Sequence, residues 1–261
     1  MNPSRSIKFS PRFFDLLPAG VKEIRGPVEQ RLLAEYGAAF VAQGVRVPPV
    51  VVFEDAVAVR KFQDMLETRS ADIGGFELVL QREAMEALLD AVAAAAALNL
   101  TISPRGPDSA ARSYELTVEL WNSRVEPALD HWAACGRIDP SVAARIRSLK
   151  PFEQVPIIFE LEQSGIYFAK DLSKSIIYSV APPGSSQHLS LLAFDVKEFD
   201  NAAIRQILNH HGWFQTVISD LPHFTYLGAE EPHLRELGLE RVESGGRVFW
   251  IPELYTAIPP G

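Results

Sequence analysis

Apolar residues recur at helical spacing in several separate stretches of the chain. Across residues 27–43 they fall at Val28, Leu32, Leu33, Tyr36, Ala39 and Phe40. This period predicts an amphipathic helix, ended by Gly44. Residues 54–67 return to the same spacing. Residues 83–98 form an alanine-rich pattern, and residues 113–134 a longer one carrying Val118, Leu120, Trp121, Val125, Leu129 and Trp132. Pro127 inside that stretch should kink or split it, because proline lacks an N–H and crowds the preceding turn. Asp139-Pro140 opens a further helix, with aspartate as N-cap and proline at the first position. That helix runs to about Leu149, and a proline-containing connection follows. The last helix covers about 199–211 and ends at Gly212.

Extended segments read differently. Residues 98–103 alternate apolar and polar side chains, as a half-buried strand does. Residues 76–80, 165–169, 175–180, 213–219, 224–227 and 247–251 are the other strand candidates, and Gly74-Gly75 marks a turn before the first of these. Residues 47–53 form a short extended segment whose prolines suggest a sheet edge. Residues 1–20 read as an irregular arm. Helices and strands alternate early and strands follow one another late, which favours an α+β fold.

Composition narrows the function classes. With 261 residues, 47% of them hydrophobic, the chain can bury a sizeable core. Its net charge of −8 and pI of about 5.3 disfavour nucleic acid and anionic lipid as partners. The single cysteine, Cys135, permits no internal disulfide and excludes zinc sites built on paired cysteines. The most apolar run, 84–100, is interrupted by Glu86 and Asp90 and reads as a buried helix, not a membrane span. The first twenty residues include Arg5, Lys8 and Arg12 and lack the apolar core of a secretory signal. Either the protein stays in the cytoplasm, or the sequence begins after a removed signal.

The candidate chemistry lies in 184–195 and 220–224. The first stretch follows a Pro-Pro-Gly turn signal and holds His188 and Asp195 around an apolar run; the second holds Asp220 and His223. Two imidazoles and a carboxylate can bind one zinc ion and leave a fourth position for water. On a straight strand, however, His188 and Asp195 would lie roughly 23 Å apart, at about 3.3 Å per residue. They can share a metal only if the chain folds back between them, with His188 in the loop and Asp195 on the strand that follows. The spacing alone also fits a surface or core histidine, an aspartate that ends a strand, and an aspartate that begins a turn.

These residues resemble a known family. Ser186-Gln-His188-Leu-Ser-Leu191-Leu-Ala193-Phe-Asp195 is similar to the SxHxxGxAxD pattern of the zinc D-alanyl-D-alanine carboxypeptidases and dipeptidases. These VanY- and VanX-like peptidases share a fold with hedgehog signalling domains. Asp220-Leu-Pro-His223 resembles their E-x-W-H pattern, and Ala111-Arg112-Ser113-Tyr114 their G-Y-R-S arginine motif. The three patterns occur in the family's order, and the match covers roughly residues 85–255. The resemblance implies a mostly antiparallel sheet flanked by helices over 85–257, with residues 21–84 as a helix-rich segment packed on it. It implies zinc on His188, Asp195 and His223, and Asp220 as the general base. Arg112 would act on the substrate's carboxylate or oxyanion, and Ser186 would assist near the substrate. The implied substrate is a D-amino-acid-containing peptide or peptidoglycan fragment, and the implied location is the cell envelope.

The pattern departs from the family in three places. Leu191 stands where the family has glycine, so the backbone there is expected to avoid a glycine-only conformation. Pro222 replaces tryptophan. Asp220 replaces glutamate and is one methylene shorter, which weakens its reach as a base. The loop before Arg112 is longer than the motif implies, making Arg105 a rival. Three readings therefore stay open: a peptidase, a zinc-retaining protein that binds such peptides without efficient hydrolysis, and a structural domain whose histidines bind no metal.

Overall fold

The computed structural model describes residues 7–24 and 26–254. Helices α1 (Pro11–Leu16), α2 (Ala19–Lys22), α3 (Pro27–Tyr36) and α4 (Ala56–Gln63) come first. A hairpin of β1 (Thr68–Ile73) and β2 (Phe76–Gln81) leads into α5 (Arg82–Ala97). Helices α6 (Tyr114–Ala134), α7 (Pro140–Ser148) and α8 (Pro151–Gln163) follow as a run. The remainder is β3 (Ala193–Asp195), α9 (Ala202–His210), β4 (Trp213–Phe214), β5 (His223–Tyr226), β6 (Leu239–Ser244) and β7 (Arg247–Pro252). The named strands pair only antiparallel and in small sheets, so the architecture is α+β as expected. No helix among the described residues is long and apolar enough to cross a membrane.

The chain divides into two units. One comprises residues 52–59 and 113–186. Its core gathers Trp121, Val125 and Leu129 of α6, Ile146 of α7, and Val155 and Ile158 of α8. The buried Trp121 indole N–H donates to Gln154 Oε1 at 2.9 Å, and the Gln154 amide donates to the Ile146 carbonyl at 3.1 Å. That pairing satisfies polar groups whose burial would otherwise be costly. Asp139 caps α7 through the Ser141 N–H, as its sequence predicts.

The other unit comprises residues 6–51, 60–112 and 187–261, within which the described residues form its structure. Its central sheet runs β3–β5–β4, with Asp195 opposite His223 and Ala193 opposite Thr225. Side chains alternate across a strand. Phe194, Phe224, Tyr226 and Trp213 therefore turn to one face, where they join Leu88, Ala91 and Ala95 of α5 and Ile204 and Leu208 of α9 in the core. The same alternation sends Asp195, His223 and Thr225 to the opposite face. Along the free edge of β3 lies the 103–109 segment: Asp195 N–H donates to the Ser109 carbonyl, and Arg105 N–H donates to the Asp195 carbonyl.

Several expectations are corrected. Residues 98–103 are not a strand; an isolated bridge, Pro104 to Val196, lies just after them, and the Ser103 carbonyl accepts from the Lys197 N–H. Residues 165–169 are irregular, and Ile176–Tyr178 is a 3-10 turn. The presumed connection after Leu149 is helix α8, with Pro151 at its first turn and Pro156 inside. Pro127 does not split α6, which is continuous. Residues 11–22 of the supposed arm carry two short helices. The strands β1 and β6 were not anticipated.

Candidate metal centre

Two devices return His188 to the strand that carries Asp195. Residues Gln187–Ser190 form a 3-10 turn, tied by Gln81 Nε2 to the Ser190 carbonyl at 2.8 Å and by Gln63 Nε2 to the Leu189 carbonyl at 3.0 Å. Leu191 then adopts φ = +58°, and the chain enters β3. The expectation that Leu191 avoids the left-handed region is thus overturned. A leucine holds the conformation usually given to glycine, at a cost of about 1–2 kcal/mol. The buried Leu191 side chain offsets it.

The fold-back brings His188 Nε2 to 3.4 Å from Asp195 Oδ1, while His223 Nδ1 lies 3.2 Å from the same oxygen. His223 arrives as the register partner of Asp195, and directly opposed residues are near neighbours. One ligand atom from each of the three lies within 4.8 Å of the others, and all three residues are buried.

His188 Nδ1 lies 2.7 Å from the Ala110 carbonyl, which can only accept. The proton of a neutral ring is then on Nδ1, and Nε2 presents a lone pair. His188 Nε2 indeed has no hydrogen-bond partner. His223 Nε2 lies 2.8 Å from Gln187 Oε1, which leaves Nδ1 as the lone-pair atom. With both rings neutral, three acceptors converge across a buried space; a proton on His223 Nδ1 would instead be donated to Asp195 Oδ1, 3.2 Å away. Burial lowers the pKa of His188 against the pull of Asp195, favouring the neutral ring. Despite burial, which raises it, the pKa of Asp195 stays well below the usual carboxylate range. Neutral imidazoles and an ionised carboxylate are the forms that bind a metal. The cluster can hold a metal ion, and its donor set fits one.

Arg112 adjoins the cluster. One terminal nitrogen pairs with Asp195 Oδ2, the oxygen turned away from the histidines, and its Nε donates to the Asp108 carbonyl at 3.1 Å. Its Nη1 has no partner among the described residues. Arg105 has an exposed side chain, and its N–H serves the backbone of β3. Asp220 is exposed; its carbonyl accepts from the His223 N–H at 3.1 Å, and its carboxylate has no partner among the described residues. Ser186 is half-buried and closes the other unit. His131, His210 and His233 are exposed and stand outside the cluster.

Two residues of this unit carried no sequence signal. Gln187 is buried and bonded to His223. Glu35 accepts from the Ser219 hydroxyl at 3.0 Å, one residue before Asp220, and burial pushes its carboxyl up. Both roles depend on partners distant along the chain.

No family model, curated protein or solved structure matches the chain.

Proposed function

We propose that this chain is a zinc-dependent hydrolase of the D-alanyl-D-alanine carboxypeptidase and dipeptidase type, acting on peptides of the cell wall. The observation that carries the reading is the convergence of His188 Nε2, Asp195 Oδ1 and His223 Nδ1 at one buried point. Zinc bound there would supply an activated water and polarise a carbonyl. Arg112 is held by Asp195 and Asp108 on one side and keeps Nη1 free, which suits a terminal carboxylate of a peptide. The left-handed Leu191 also supports the resemblance, since it reproduces a glycine-like backbone at the pattern's glycine position.

The position of Asp220 favours a second reading, a zinc-retaining peptide-binding protein. Its carboxylate is exposed and no described residue orients it. A base held loosely by about 1 Å can lose on the order of 10²-fold in rate.

The test measures metal content of unchelated protein, then turnover of a D-Ala-D-Ala-ending peptide with zinc saturated. The panel is wild type, Asp220→Ala, Asp220→Glu and Glu35→Gln. Hydrolysis lost in Asp220→Ala supports the peptidase. An inactive wild type that gains activity in Asp220→Glu supports the binding protein. Loss in Glu35→Gln alone would transfer the base to Glu35. Protein without stoichiometric metal rejects both readings.

A further inference from the structure

Gln187 is 5% exposed and joins three parts of one unit. Its Nε2 donates to the Tyr36 carbonyl at 2.8 Å. A carbonyl cannot donate, so that contact fixes which end of the amide is which. Oε1 must then be the acceptor, and it receives two donors: His223 Nε2 at 2.8 Å and the Thr225 hydroxyl at 2.5 Å. The Thr225 proton is thereby committed. Thr216, 2.6 Å from Thr225 Oγ1, must be the donor in that pair. Thr216, Thr225, Gln187 and His223 are all buried, so no bulk water competes for these bonds.

The alternative arrangement of His223 is close at hand. Asp195 Oδ1 lies 3.2 Å from His223 Nδ1 and is a strong acceptor. Without an acceptor at Nε2, the neutral ring would carry its proton on Nδ1 and donate it to Asp195. That closed pair would occupy the lone pair and the oxygen that face His188. We infer that Gln187 is a positioning residue that locks His223 in its Nε2–H tautomer and so keeps Nδ1 open toward a metal. The inference rests on the metal-binding reading above for its purpose, though not for its hydrogen-bond logic. Partners of this kind typically govern 10- to 100-fold in metal affinity.

The experiment reads the tautomer directly. Metal-free protein labelled with ¹⁵N-histidine is studied by long-range ¹H–¹⁵N correlation, and Zn²⁺ and Co²⁺ affinities are measured against a chromophoric chelator. Wild type should show His223 as Nε2–H. Gln187→Met should shift it to Nδ1–H and weaken both metals 10- to 100-fold. Gln187→Glu keeps an acceptor and should retain Nε2–H. Thr225→Val removes only the second donor and should also retain it. An unchanged tautomer in Gln187→Met overturns the inference. If that variant does not fold, a switch to Nδ1–H in Gln187→Glu overturns it instead. A wild type that takes up no metal, but whose tautomer switches in Gln187→Met, sinks the metal reading and leaves the lock standing.

Discussion

Asp195 offers a sharp contrast between two substitutions. Its side chain is 9% exposed and that of its partner Arg112 is 17% exposed. Removing one member of a buried pair costs about 3–5 kcal/mol, because the other charge stays buried and unpaired. Arg112 keeps the Asp108 carbonyl at 3.1 Å and its carboxylate at 3.8 Å, so Asp195→Ala should fall at the lower end, about 3 kcal/mol. Asp195→Asn behaves differently. Its oxygen can still accept from Arg112, while its amide can donate to the lone pairs of His188 and His223. It should be less destabilised than the alanine variant by about 1–2 kcal/mol, since a satisfied buried group avoids the desolvation penalty. Yet it should lose metal binding, because a carboxylate ligand has become a neutral amide whose N–H₂ faces the site. Urea denaturation of the metal-free variants and chelator competition for zinc give both numbers. Equal destabilisation of the two variants would refute the three-acceptor description, as would wild-type zinc affinity in Asp195→Asn.

Leu191→Ala should cost about 2–5 kcal/mol by emptying a buried site. Leu191→Gly should be more stable than Leu191→Ala by about 1 kcal/mol, the reverse of the usual order, because φ = +58° favours glycine. Thermal or urea melts of the pair decide it. The metal-free protein should weaken on acidification, since His188 and Asp195 both have lowered pKa values and the unfolded chain takes up protons the folded chain refuses. The His188 contribution is complete above about 6.5 and declines below it; the Asp195 contribution declines only below about 3.8. The slope is at most about 1.4 kcal/mol per pH unit for each group. Urea midpoints that stay flat between about pH 7.5 and 5 would contradict a neutral, buried His188.

The sequence made the ligand geometry legible wherever local alternation decides it. Phe194 and Phe224 each sit beside a polar residue of the cluster, so burying the aromatics on one face delivers Asp195 and His223 to the other. The need for a fold-back after His188 was equally legible from distance alone. What was not legible depends on remote partners. Residues 98–103 alternate like a strand, but Pro104 and the turn after it allow only scattered bonds to β3. Ile176 and Ile177 favour a strand by propensity. The buried Glu162 carboxylate instead takes the Ser175 hydroxyl at 2.5 Å and the Ile176 N–H at 2.6 Å, fixing a turn. The hairpin strand β1 lacks an alternating apolar pattern because its Arg69 and Asp72 face water. The left-handed backbone at Leu191 has no signature in a leucine.

Arg112 and Gln187 bracket a detour. Residues 113–186 belong to one unit, while the chain on both sides builds the cluster in the other. The stems of that detour are pinned together by the 2.7 Å bond between His188 and the Ala110 carbonyl. Closing a longer loop costs little more than closing a shorter one, about 0.6 kcal/mol for each doubling of length. A change in the length of the intervening stretch therefore costs little in chain closure, while His188 stays pinned to Ala110.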